Sequence, residues 1–170
     1  MDHEVEFKPL SPEGVPVALE KAKHYRLLNE ASEAESICLD ILRVDKDNQE
    51  ALQTLVLALT DKFDRSTVAA IKTARDYLPR IADEYTRIYL EGLICERWAK
   101  AVLRQHRPRY QYVAYEWLTN AMAAYEQADK LHPAGHEEAV LRWNTCVRIM
   151  RKYPQLGPEP EGEPEAQLLE

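Results

Sequence analysis

Between Ala34 and Val56 the chain repeats one helical period on either side of a short polar turn, and few folds accommodate that pattern. Ala34, Cys38, Ile41 and Leu42 recur at three- and four-residue spacing, as do Ala51, Leu52, Leu55 and Val56. Between them stands Asp45-Lys46-Asp47-Asn48, whose short polar side chains accept hydrogen bonds from free backbone N–H groups and so turn the chain and cap a new helix. Two amphipathic helices joined this tightly lie antiparallel, each covering the other's apolar stripe. The apolar–polar alternation of a strand appears nowhere in the sequence, which predicts an all-α chain.

The punctuation predicts about seven helices. Residues 1–15, with Pro9, Pro12 and Gly14, read as an irregular lead-in to a helical domain over 16–153. Pro16 suits the first turn of a helix that carries Leu19, Ala22, Leu27 and Leu28 and runs to about Asn29. Ser32 and Glu35 have capping-box spacing, so a second helix is expected from there to Val44. The third is expected over about Asn48 to Lys62. A fourth, capped by Asp64 or Ser66, carries Val68, Ile71, Ala74 and Leu78 until Pro79 stops it. A long fifth helix covers about Ala82 to Gln105, with Gly92 tolerated inside it at a cost of roughly 1 kcal/mol. After His106-Arg107-Pro108-Arg109, a sixth runs from Tyr110 to about Leu131. Pro133-Ala134-Gly135 separates it from a last helix, His136 to Tyr153, with Ala139, Val140, Trp143, Val147 and Met150 on one face. Residues 154–170, rich in Pro and Glu, bury too little to order themselves and are expected to form a disordered acidic tail.

The net charge of −7 is unevenly distributed: the first 14 residues carry −3 and residues 154–170 carry −5, so the body is at +1. The acidic balance therefore says little about what the body binds. No apolar run is long enough to cross a membrane, and the acidic start lacks the regions of a signal peptide. Cys38, Cys95 and Cys146 occupy apolar helical positions and read as buried thiols, which together predict a reducing, cytoplasmic setting.

The helices resemble tetratricopeptide repeats, whose 34-residue unit is a helical hairpin with small residues at fixed places, bulky ones beside them and often a closing Pro. Ala22, Tyr25, Ala34, Cys38 and Ile41 fall on those places in a first unit; Leu52, Leu55, Val56, Leu59, Ile71, Ala74 and Pro79 do so in a second, and Ala121, Tyr125, Ala128 and Pro133 in a third. Small residues let helices approach and a large residue fills the adjacent hole. Lys21 and Lys46 depart from the pattern. The third hairpin is elongated, with 29 residues between Gly92 and Ala121, adding about two turns to each arm and carrying the Arg107-Pro108 tip beyond the body. The resemblance implies a right-handed array of antiparallel hairpins, with a seventh helix over the last apolar stripe.

It also implies a concave face lined by the first helix of each hairpin, here Leu19, Lys23, Arg26 and Leu27, then Glu50, Gln53, Leu57, Thr60 and Asp61. That mixture of charge and apolar surface suits a segment of a partner protein, and the expected function is a non-catalytic scaffold or adaptor module. The residues with which one subclass clamps a terminal carboxylate are absent, since Leu19, Lys23 and Thr54 stand at three of those places.

Arg97, Lys100, Arg104 and Arg107 lie three and four apart on one helix, followed by Arg109 and by Tyr110, Tyr112, Tyr115 and Trp117. Basic residues interleaved with aromatics can hold single-stranded nucleic acid, the alternative reading, although a near-neutral body argues against it. An acidic protein segment is the better ligand for this stripe, and the chain's own Glu159, Glu161, Glu163 and Glu165 would provide one. A third reading is a homodimer that buries the Tyr and Trp of the long hairpin. For catalysis the sequence offers little. His132 and His136 are separated by Pro133 and Gly135 and share no regular helix face, Asp83 and Glu84 diverge, and no CxxC, phosphate loop or nucleophile elbow occurs. No cofactor, metal or enzyme activity is expected.

Overall fold

A computed structural model describes residues 5–161. Among them are seven α-helices and no strand: α1 (Val15–Leu27), α2 (Ala31–Val44), α3 (Gln49–Asp61), α4 (Ala69–Arg75), α5 (Glu84–Gln105), α6 (Tyr110–Asp129) and α7 (Glu138–Lys152). No helix among the described residues is long and apolar enough to cross a membrane. Each helix packs on the next, α1, α3 and α5 also touch in succession, and α7 reaches α5 through side chains.

The turns explain where the helices stop. After α1, Asn29 takes a left-handed φ of 61° and the Glu30 N–H returns to the Tyr25 carbonyl at 2.9 Å, an Asn-based end that satisfies the last carbonyls. This closure lets α2 begin at Ala31, one residue before the expected Ser32 cap, and leaves Glu35 to pair with Lys62 across the hairpin instead. Asn48 caps α3 by accepting the Ala51 N–H at 2.9 Å and donates to Asp45 at 3.0 Å. Gln49, next to it, donates to the Arg80 carbonyl and accepts the Ala82 N–H, which ties the start of α3 to the lead into α5.

The fourth helix is shorter than expected. Ser66 does not cap it, because its hydroxyl donates back to the Lys62 carbonyl at 2.8 Å, and Asp64 lies in a 3-10 turn, Phe63–Arg65. Val68 is consequently exposed outside the helix. At the other end, the Pro79 ring would meet the carbonyl of Arg75 four residues back, so α4 stops at Arg75 and Leu78–Arg80 forms a separate 3-10 turn.

The long pair α5–α6 forms the centre of the fold. Asp83 caps α5 by accepting the Thr86 N–H and hydroxyl at 2.8 and 2.6 Å, and these bonds hold its carboxyl below the usual range. Midway along, Gly92 lies flat against Tyr125: a methyl group there would sit 2.7 Å from Tyr125 Cε1 and 2.8 Å from Cδ1. The far arms do not stand free. Phe63 meets Trp98 edge-on at 5.5 Å, Val102 and Leu103 are buried, and Gln105 donates to the Asp64 carbonyl. The tip, residues 106–109, is exposed and is bracketed by left-handed His106 and Arg109.

Cys38, Cys95 and Cys146 are free and buried, and burial pushes each thiol up to about 12. The expected free tail, 154–170, differs near its start, since Leu156 is half-buried against the core.

Gly92→Ala gains helix propensity, yet its methyl group collides with the ring of Tyr125, which is buried and anchored on Glu96 through its hydroxyl. The substitution should destabilise the chain by about 1–3 kcal/mol, read as a lower urea midpoint; an unchanged or raised midpoint would contradict the close approach.

Candidate partner-binding face

The odd-numbered helices turn a band of ionised side chains toward one side, and two carboxylates organise it. The first is Asp61, at the end of α3. Arg26 of α1 grips it with two bonds, Nε to Oδ2 at 2.7 Å and Nη2 to Oδ1 at 3.3 Å. From the other side, Arg97 of α5 donates through Nη1 to Asp61 Oδ1 at 2.5 Å, to the Thr60 hydroxyl at 2.6 Å and to the Leu57 carbonyl at 3.2 Å. One carboxylate thus joins three helices. Burial lowers the pKa of Arg97, with Asp61 acting against that shift.

The second is Glu96, which has no exposed side-chain surface. Its Oε2 accepts the Tyr125 hydroxyl at 2.7 Å, its Oε1 pairs with Lys100, and Arg142 Nε of α7 lies 3.2 Å from Oε2, without the alignment of a hydrogen bond. Burial first, and then the Glu96 charge, raise the Tyr125 phenol well above its ordinary range, so it stays a donor at any physiological pH. Arg142 is raised despite its burial, because Glu96 and Tyr125 favour its charge. Between the two carboxylates lies a concavity of about 310 Å³ lined by Thr60, Asp61, Asp64, Arg97, Lys100, Arg104 and Arg142.

The residues expected on the concave face are distributed as follows. Lys23 of α1 pairs with Glu50 of α3 at 2.7 Å and with Glu20 at 2.9 Å, and these bonds raise its pKa. Arg26 and Asp61 form the cluster just described. Leu27 is 82% exposed, whereas Gln53 and Leu57 are half-buried. Leu19 and Thr60 require correction: at 7% and 3% exposure they belong to the interior, Leu19 in the apolar core and Thr60 holding Arg97, so neither is open to a partner.

The basic stripe is corrected as well, because it is not a row of unengaged cations. Arg97 faces Asp61, Lys100 faces Glu96, Arg104 meets Asp64 at 2.5 Å and Arg109 pairs with Glu159. Arg107 is exposed at the tip. Of the tail acids expected against the stripe, Glu159 reaches Arg109, Glu161 is exposed, and Glu163 and Glu165 lie outside the described residues.

Sequence reasoning missed Glu96, Tyr125 and Arg142 as a group. The available signal was Glu96 itself, an acid four residues before Lys100 among Ile94, Cys95, Trp98 and Ala99, a position that is otherwise apolar.

Comparison of the chain with protein-family models, with curated proteins and with solved structures returned no match to any of them.

Removing Asp61 strands two guanidinium groups that are each mostly shielded from water, whereas Arg104 is 62% exposed. Asp61→Ala should cost about 1–3 kcal/mol of stability, while Arg104→Ala should stay within about 0.5 kcal/mol. Equal effects in urea titrations would show that Asp61 does not join the helices.

Proposed function

We propose that the chain is a non-catalytic interaction module, a tetratricopeptide-like array of helical hairpins that receives a carboxylate-bearing segment of a partner protein on the face formed by α1, α3, α5 and α7. The observation that carries this reading is the concavity beside Asp61 and Glu96. There Arg97, Lys100, Arg104 and Arg142 converge from two helices, and Arg142 Nε has no aligned acceptor among the described residues. Cations outnumber the acids around the hollow, so an incoming carboxylate would gain charge-assisted hydrogen bonds that offset its own desolvation. Exposed Leu27 and half-buried Leu57 supply apolar contacts further along the same side.

The array itself is supported by hairpin packing of α1 on α2 and of α5 on α6, by contacts among α1, α3 and α5, and by a small residue facing a large one at Gly92 and Tyr125. The nucleic-acid reading has less support, because the body over residues 15–153 carries a net charge of only +1, whereas a run of phosphates needs an extended basic surface. A homodimer through the long hairpin would leave its Tyr and Trp to be buried by a copy, but Tyr110 and Trp117 already pack against the core.

Peptides selected from a random library on the full chain test this reading. Enriched sequences should carry Asp or Glu at a repeated spacing and lose about tenfold or more in affinity on Lys100→Glu or Arg104→Glu, corresponding to about 1.4 kcal/mol. Enriched peptides indifferent to both substitutions would move the binding face elsewhere, and salt-sensitive binding of random single-stranded oligonucleotides that is lost on Arg104→Glu would favour the nucleic-acid reading.

A further inference from the structure

On the opposite arm of the long hairpin, the first half of α6 is covered by the chain's own C-terminal segment. After α7 the backbone turns at Tyr153, whose carbonyl accepts the Leu156 N–H at 3.0 Å, and Leu156 inserts half-buried against the core. Gln155 reaches the Tyr110 hydroxyl over a long 3.4 Å, and Glu159 pairs with Arg109. Pro158 and Glu159 then form one wall of a groove whose other wall is Pro108, Tyr112, Tyr115 and Thr119. Tyr112, Tyr115 and Thr119 are three and four residues apart and so share one side of the helix.

The occupant has a definite chemistry. Pro158 and Pro160 hold the strand extended without internal hydrogen bonds, a form that docks on aromatic ridges at little entropic cost. Glu159 supplies a charge for Arg109, while Glu116 on the same wall disfavours further acids at that height. Yet Pro158 and Glu159 remain exposed, and about 520 Å³ between strand and helix is unfilled. The strand is therefore held mainly by its attachment to α7, Leu156 and one ion pair rather than by a close fit.

We propose that this groove is a second recognition surface, specific for an extended acidic Pro-Glu strand, and that Pro158 and Glu159 close one side of it in cis as a placeholder which a strand of the same chemistry displaces. The surface is separate from the face of α1, α3, α5 and α7, and its function does not depend on that face.

A fluorescein-labelled peptide spanning residues 154–161, titrated into the full chain, tests this. Because the tethered strand competes at an effective concentration in the millimolar range, the wild-type chain should bind the peptide weakly. Glu159→Arg, an exposed change that loosens the cis strand, should tighten binding about tenfold or more. Arg109→Glu should abolish binding of this peptide but accept one with Arg in place of its Glu159. Circular dichroism of both variants should be unchanged, since both sites lie at the surface. Equal affinity of wild type and Glu159→Arg, binding indifferent to Arg109→Glu, or no binding to any of the three chains would overturn the proposal. A concentration-dependent dimer lost on Glu159→Arg, seen by light scattering, would overturn the cis assignment and transfer the strand to a second copy.

Discussion

The contact between Gly92 and Tyr125 is the constraint on which the rest of the molecule depends. Without a side chain at residue 92, α5 comes close enough to α6 for the Tyr125 ring to lie flat against its backbone, where Tyr89 also meets it at 5.8 Å. That depth aims the phenol at Glu96, one helical turn further along α5, and gives a buried carboxylate a donor that remains protonated. Glu96 in turn holds Lys100 and draws Arg142 of α7 inward. A wider spacing of α5 and α6 would leave the carboxylate without its buried partner, a state that costs more than the pair itself contributes.

Asp61 performs the corresponding role at the other end of the charged face. Its two guanidinium partners come from helices before and after it, so the relative placement of α1, α3 and α5 is fixed by hydrogen-bonded charge as well as by the apolar core. Exposed pairs such as Lys72 with Asp76 contribute little by comparison, because water screens them and long side chains resist being held. The concavity between Asp61 and Glu96 thus has walls anchored on both sides.

The all-α class and the seven helices were legible in the sequence because periodicity and punctuation are local signals. Asn48 and Asp83 cap helices through their own neighbours, and a reader of the sequence can see both partners at once. What was not legible involved competition or distance. Ser32 had capping-box spacing, but the left-handed Asn29 had already closed the turn; Ser66 could cap α4, but the free carbonyl of Lys62 took its hydroxyl. The basic stripe looked like a solvent face because spacing on one helix carries no record of what packs against it. Its partners Asp61 and Asp64 lie 36 and 40 residues away, and Tyr125 stands 29 residues from Glu96. Those pairings exist only once the hairpins have formed. Leu19 was misassigned to an open face for the same reason: its spacing along the helix was visible, but the depth of its burial beneath neighbouring helices was not.

The central claim is that the Tyr125–Glu96 bond, made possible by Gly92, joins α5 to α6 at the point where Arg142 of α7 approaches. A double-mutant cycle with Tyr125→Phe and Glu96→Gln, measured by urea denaturation of the full chain, tests it most directly. The account predicts a coupling energy of at least about 1 kcal/mol between the two positions, as for a buried hydrogen bond to a charged group. Losses that simply add, within about 0.3 kcal/mol, would contradict it.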